Sequence, residues 1–255
     1  MYVATCAFIV EQIITPVFEE RKMRRVLSAM MLVLAGGAAQ AEPFVHQYDV
    51  RFAGLRVATA SVQGDVSATS YNATARMEAR GLVGFFSSGN FSAAVRGTRT
   101  GPAGFSPQVF EQVSSGRNAS RLDITYRNGA PITAISNPER GPDERAVPTL
   151  SKQSGTVDFL TAVVALTHPG TPAEICNREF DSFTLTKRVR IDGDGVLPDT
   201  LTCRVVYRKV NPETLESRDP EAYTLELRPM ADGRYEVARI LGPSEFGQAV
   251  ITRTN

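Results

Sequence analysis

Between Tyr71 and Arg80 the chain alternates without a break. Tyr71, Ala73, Ala75, Met77 and Ala79 fall on one side and Asn72, Thr74, Arg76, Glu78 and Arg80 on the other. A period of two puts every second side chain on the same face of an extended strand, so this stretch has one apolar and one wet face as a strand and neither as a helix. Phe44, Tyr48, Val50 and Phe52 alternate with Gln47, Asp49 and Arg51 in the same way, and Leu55–Val62 resumes after Gly54, which predicts a hairpin. Phe91, Ala93 and Val95 run on towards Thr100. Shorter strands are expected at Val109–Val113, Leu122–Tyr126, Ile132–Ile135, Tyr223–Leu227, Tyr235–Ile240 and Ala249–Thr252. Gly101–Pro107, Gly116–Asn118, Asn128-Gly129 and Asp232-Gly233 are turns by composition, and Asn-Gly is a strong hairpin signal because both residues tolerate positive φ. Asn137–Pro148, rich in proline and charge, is a surface loop.

One helix stands out. Val157, Leu160, Val163 and Val164 form an apolar stripe within Thr156–Leu166, with Ser154 or Thr156 as the cap, Asp158 in the first turn, and His168-Pro169-Gly170 as the stop. No repeat, heptad or linker divides the chain. The fold class is therefore mainly β: a strongly curved antiparallel sheet, half-barrel-like, of ten or eleven strands with one covering helix.

Within this pattern, Cys176–Ile191 and Leu201–Tyr207 read as two strands around the Gly/Asp turn Asp192-Gly-Asp-Gly195. Their cysteines, Cys176 and Cys203, are the only ones beyond Cys6. Whether they pair depends on the compartment. Met23-Arg24-Arg25, the apolar run Val26–Ala35, and the small-residue triplet Ala39-Gln40-Ala41 follow the order of a secretory signal, with cleavage expected after Ala41. The apolar run is shorter than the roughly 20 residues that a membrane-spanning helix needs. Residues 1–22 place Glu11, Glu19 and Glu20 ahead of the basic pair, where a signal normally begins, so they read as a mis-assigned extension before a start at Met23. N-terminal sequencing of the precursor tests this, and a product retaining Tyr2-Val3 would sink it. The expected organisation is thus extension 1–22, signal 23–41, and a single β-rich periplasmic domain 42–255. In an exported chain an even cysteine pair reads as a disulfide, with two free buried thiols as the alternative.

Charge and motifs exclude more than they establish. Removing Arg21, Lys22, Arg24 and Arg25 from 28 basic residues, and Glu11, Glu19 and Glu20 from 27 acidic ones, leaves 24 of each. Such a balance lacks the basic face that nucleic-acid binding requires. The two histidines, His46 and His168, lie far apart in sequence. His168 with Ser154 or Ser182 is the one hydrolase-like combination, yet no Gly-x-Ser-x-Gly elbow is present. Asp192-Gly-Asp-Gly195 with Asp199 lacks the twelfth-position glutamate of a calcium loop. Asp158, Glu179 and Asp181 are carboxylates that no spacing brings together, and solvated strand ends account for them. No metal or cofactor is expected. Leu82, Val83, Phe85 and Phe86, with Phe91, form an apolar cluster that is either a core plug or the lining of a greasy cavity suited to an acyl chain or apolar peptide.

Several short pieces in order resemble one family. They are Tyr48–Gly54, Arg80-Gly-Leu-Val-Gly84, Gly104-Phe-Ser-Pro107, Val157–Ala162, Glu179-Phe-Asp181 and Leu201-Thr-Cys203. Together they are similar to the bacterial exported family catalogued as domain of unknown function 3108. Ser182 departs from its pattern, which has glycine after Phe-Asp. The resemblance implies a curved half-barrel similar to periplasmic lipoprotein carriers and a groove for acyl chains, a step of fold analogy. The expected function is a non-enzymatic exported envelope protein binding a lipid or lipidated partner. An envelope assembly factor acting through protein contacts, and a hydrolase with an unrecognised site, are the alternatives.

Overall fold

The structure, a computed structural model, describes residues 41–80, 90–101, 104–115, 119–139, 146–197, 201–244 and 247–255. The alternating segments are strands. The first seven are β1 (Glu42–Phe52), β2 (Leu55–Val66), β3 (Ser70–Ala79), β4 (Asn90–Thr100), β5 (Gly104–Ser114), β6 (Ser120–Arg127) and β7 (Ala130–Asn137). A 3-10 turn (Leu150–Gln153), the two-residue β8 (Thr156–Val157) and the helices α1 (Phe159–Thr167) and α2 (Pro172–Cys176) follow. The chain closes with β9 (Glu179–Thr184), β10 (Lys187–Val196), β11 (Thr202–Val210), β12 (Ser217–Pro229), β13 (Tyr235–Ser244) and β14 (Gly247–Arg253).

All fourteen strands belong to one sheet, in the order β7-β6-β5-β4-β3-β2-β1-β14-β13-β12-β11-β10-β9-β8. Neighbours in sequence pair throughout except β7 and β8, which form the two edges, and the last strand returns to pair with the first, Tyr48 opposite Arg253 and Phe52 opposite Ala249. Every pairing is antiparallel except β8 with β9. So many twisted strands cannot stay in one plane. Register shifts, including those at Val50/Arg51, Arg96/Gly97 and Tyr207/Lys209, bend the sheet further. The result is a nearly closed, barrel-like sheet. The gap between its two edge strands is bridged where Gly155 N donates to Gly129 O at 2.8 Å, tying the segment before β8 to the β6–β7 turn. That turn is the Asn-Gly pair, with φ of 51° and 73°.

α1 lies inside the curve, touching β3, β4 and β5 on one wall and β9 and β13 on the other. Its burial explains its composition: seven of its nine residues are buried, leaving Val163 and Leu166 partly open. The helix begins later than its apolar stripe suggests, because Thr156 and Val157 pair with Asp181 and Ser182 as β8 and Asp158 supplies the cap. Two further differences concern the cysteine region. The hairpin turn lies at Leu185–Thr186, while Asp192–Gly195 continues β10, with Asp192 opposite Val206 and Gly193 opposite Val205. α2, a five-residue helix with a Thr171/Glu174 capping box, was not expected from periodicity.

Candidate functional site

α1 is pinned at both ends. At its start the Asp158 carboxylate, fully buried, accepts from Thr161 N at 2.8 Å and from Thr161 Oγ1 at 2.6 Å. Since Thr161 donates its only hydroxyl proton there, Tyr71 OH donates to Thr161 Oγ1, at 2.7 Å. At its end Arg178 donates to Leu166 O at 2.8 Å and His168 O at 2.7 Å, satisfying carbonyls that a helix leaves open. Gly97 makes room for this arrangement: a Cβ there would stand 2.6 Å from Tyr71 Cε1.

So held, the helix presents Phe159, Val163 and Leu166, at i, i+4 and i+7, to the open part of the interior. Among the described residues the interior does not close over this stripe. Buried apolar residues fall into two clusters, one spanning β1–β6 and α1, the other built from Ile175, Cys176, Cys203, Val205, Leu225, Leu227 and Val237. Between them runs an apolar groove of two adjoining lobes with volumes of about 80 and 120 Å³. Phe159, Val163, Leu166, Ile240 and Ile251 line both lobes. Val50, Val62, Met77 and Phe91 complete the first, and Val189, Ile191, Val205, Tyr207, Tyr223 and Leu225 complete the second. Each lobe is below the roughly 300 Å³ at which pockets for compact small molecules begin. The shape suits a slender occupant.

Phe91 is the expected lining residue that the structure places here. It is 2% exposed on β4 and meets Phe159 edge-on, ring centres 5.4 Å apart. Leu82, Val83, Phe85 and Phe86 lie outside the described residues. Most of the lining was missed by sequence reading, because Ile191, Tyr207, Tyr223, Ile240 and Ile251 belong to ordinary alternating strands and nothing local marks them.

One polar atom in the second lobe is notable. Ser182 Oγ, on a residue 2% exposed, has no hydrogen-bond partner among the described residues. A buried unpaired hydroxyl costs about 1–3 kcal/mol. Ser182→Ala is therefore expected to stabilise the ligand-free protein by about 1 kcal/mol in urea denaturation. A loss of stability would mean that the hydroxyl has a partner.

The two histidines meet at the other side of α1. A second cavity of about 190 Å³, at the helix's C-terminal end, is lined by Glu42, His46, Thr167, His168, Glu236 and Arg253, with Phe44, Val66 and Met230 among the apolar residues. His46 Nδ1 and Tyr48 OH are 3.2 Å apart. His168 Nε2 lies 3.0 Å from Arg99 Nη2, and because a guanidinium only donates, this ring nitrogen is the acceptor and the proton sits on Nδ1. Burial first, then nearby guanidinium groups (Arg253 for His46, Arg99 and Arg178 for His168), lowers both imidazoles from 6.5 to about 4.

These shifts set an acid limit on stability. An imidazole whose pKa is depressed on folding contributes stability that is fully present above 6.5 and disappears as pH falls towards 4. Each histidine carries up to ~3 kcal/mol of this kind. Asp158, pushed up to about 6 by burial, works in the opposite sense, since its contribution is lost as pH rises from 3.8 through 6. Two histidines outweigh one aspartate, so the urea midpoint is expected to fall between pH 6.5 and 4, and His168→Gln to flatten that fall. A midpoint independent of pH across this window contradicts the burial of neutral imidazoles.

The other candidates for chemistry separate. Ser182 lines the groove while His168 lines the second cavity, and no Ser–His hydrogen bond joins them among the described residues. Asp158 and Asp181 are not solvated strand ends: both are buried, the first as the helix cap and the second between Arg188 and Arg190. Asp192 pairs with Arg208 and Asp194 with Arg204, and Asp199 lies outside the described residues. No group of three or more His, Cys, Asp or Glu among the described residues is placed to hold a metal ion. No helix among them is long and apolar enough to cross a membrane. Cys176, at the end of α2, and Cys203, on β11, form a disulfide with Cα atoms 5.2 Å apart, both residues fully buried.

No curated protein and no solved structure matches the chain. Residues 47–213 match a family described as "Protein of unknown function (DUF3108)". The match runs from β1 through β11, so it includes α1, the disulfide and most of the groove, while the lining residues Tyr223, Leu225, Ile240 and Ile251 stand beyond it. It covers well over half of the chain, and the chain therefore belongs to the DUF3108 family.

Proposed function

We propose that this protein is an exported, non-enzymatic component of the bacterial envelope that holds one slender apolar chain, the acyl chain of a lipid or lipidated partner, in the groove along α1. One observation carries the reading. The interior splits into two apolar clusters and leaves Phe159, Val163 and Leu166 facing a trough between them. A protein interior ordinarily packs to the density of an organic crystal, and closing this gap would bury more apolar surface at little cost. Retaining it makes sense if a ligand completes the core. The narrow lobes favour an extended chain over a compact ring system. The signal-like segment and the buried disulfide support export into an oxidising compartment.

The test is native mass spectrometry of protein purified from the periplasm, followed by solvent extraction. A co-purifying lipid is expected, and Leu166→Gln, which puts an amide into the trough while leaving a partly exposed site, is expected to release it. Folded protein with no lipid, and no binding of added fatty acids, counts against the reading. It would favour an assembly role through protein contacts, for which the edge strand β7 offers Ile132 and Ile135, 43% and 61% exposed.

A further inference from the structure

We propose that the cavity holding His46 and His168 is a head-group site, and that the ligand of the adjoining groove is a single-chain amphiphile with an uncharged, hydroxyl-bearing head. This rests on the groove reading and adds the chemistry of the ligand's polar end. The two spaces abut. Thr167 lines both, and Tyr48 marks the border, its ring on the groove and its hydroxyl against His46 Nδ1. A chain lying along Phe159, Val163 and Leu166 runs parallel to α1, so its end reaches the level of Thr167 and His168, where the lining changes from apolar to hydrogen-bonding.

The charges around the cavity decide what kind of head fits. Glu236, 4% exposed, is paired with both Arg228 and Arg253. Glu42 takes two hydrogen bonds from Arg234, at 3.0 and 2.5 Å. Each formal charge on the lining is thus already paired, Glu236 with the lining Arg253 and with Arg228, and Glu42 with Arg234. A carboxylate or ammonium brought in would have to compete with an existing pair or be buried unpaired, which is costly. The imidazoles differ. Both are neutral, and neither has a carboxylate partner among the described residues. One nitrogen of each is engaged, His168 Nε2 by Arg99 and His46 Nδ1 by Tyr48. This leaves the Nδ1–H of His168 as a donor and Nε2 of His46 as donor or acceptor, opposite to the role of its Nδ1. One free ring nitrogen on each neutral imidazole, beside a cavity of about 190 Å³ that is large enough for a glycerol-sized group, suits hydroxyl groups, which can accept from the one and either donate to or accept from the other.

The experiment is displacement of N-phenyl-1-naphthylamine, an apolar fluorophore, from the wild-type protein at pH 7.5 by a series of equal chain length. The series comprises 1-monolaurin, laurate and dodecyltrimethylammonium. The absence of tryptophan from the chain leaves the fluorophore's signal uncluttered. Monolaurin is expected to bind about tenfold more tightly than either charged amphiphile, the equivalent of one or two hydrogen bonds kept. His168→Ala and His46→Ala are each expected to weaken monolaurin by about tenfold while leaving the fluorophore's own affinity unchanged. If His46→Ala fails to fold, the head-group series on wild type and the partly exposed His168 variant still decide the matter. Equal affinities across the series, tighter binding of a charged head, or monolaurin affinity untouched by His168→Ala would overturn the head-group site while leaving the groove reading intact. Failure of the fluorophore and of all three amphiphiles to bind would refute the groove reading and this inference together.

Discussion

Replacing Asp181 by alanine is expected to cost about 3–5 kcal/mol, the largest loss that any single side chain here should produce, because it strands a buried guanidinium. Asp181 is 6% exposed and Arg188 8%. Arg188 Nε donates to Asp181 Oδ2 at 2.8 Å, its Nη2 also reaches that oxygen, and Arg190 Nε donates to Oδ1 at 2.7 Å. The same Arg188 donates from Nη1 to Lys152 O at 3.0 Å, in the 3-10 turn that bridges the open edges of the sheet. The ion pair therefore joins β9, β10 and the turn, so its loss should loosen the closure of the barrel as well as stability at large. Arg190 is half exposed and can rehydrate, whereas Arg188 cannot. Replacing both partners by apolar residues, Asp181→Leu with Arg188→Met, is expected to recover most of the loss, because no charge is then left buried. Urea denaturation of the three proteins measures both effects. A single variant within about 1 kcal/mol of wild type would show that water reaches Arg188.

Removing the disulfide, by Cys176→Ala with Cys203→Ala, is expected to cost about 3.5 kcal/mol on the chain-entropy account, given a separation of 27 residues. Against a typical total of roughly 5–15 kcal/mol this is a large fraction. The cystine belongs to the second apolar cluster, which shares Val205 and Leu225 with the groove's second lobe. Because both cysteines are fully buried, a reducing agent should act only through opening of the native state. Native protein is thus expected to resist dithiothreitol for hours and to lose the bond quickly in urea near its midpoint. Fast reduction under native conditions would mean that α2 detaches readily from β11.

How far the residues alone reveal this protein depends on the range of the interaction concerned. Tyr71–Ala79 was legible as a strand, and Asn128-Gly129 as a tight turn, because period and turn chemistry are properties of a few neighbouring residues. α1 was legible as a helix, yet its start was not: Thr156 and Val157 carry the apolar pattern but are captured by β9, a partner that follows them by some two dozen residues. The Gly/Asp run at Asp192–Gly195 has turn composition, yet it stays within β10: Asp192 and Gly193 pair with β11, and Asp194 and Gly195 form a register irregularity before pairing resumes at Val196. The candidate site shows the same division. Phe91 could be read as core plug or cavity lining and stands in both the apolar core and the groove wall, whereas Ile240, Ile251 and Tyr223 carried no such mark, and the two histidines gave no sign that they would share a cavity.

The sequence by itself determined a mainly β chain with one helix against its sheet, and the ordered motifs of a family, because each depends on local period or on residue type. It made a disulfide between the two late cysteines an expectation, which the structure bears out. Only the tertiary structure decided that the sheet curls until its edges nearly meet, that α1 sits inside it, and that an apolar trough is left beside a cavity carrying both histidines. The reason is physical: twist accumulates over fourteen strands, and whether the enclosed space is filled or empty depends on the summed volumes of side chains drawn from both ends of the chain.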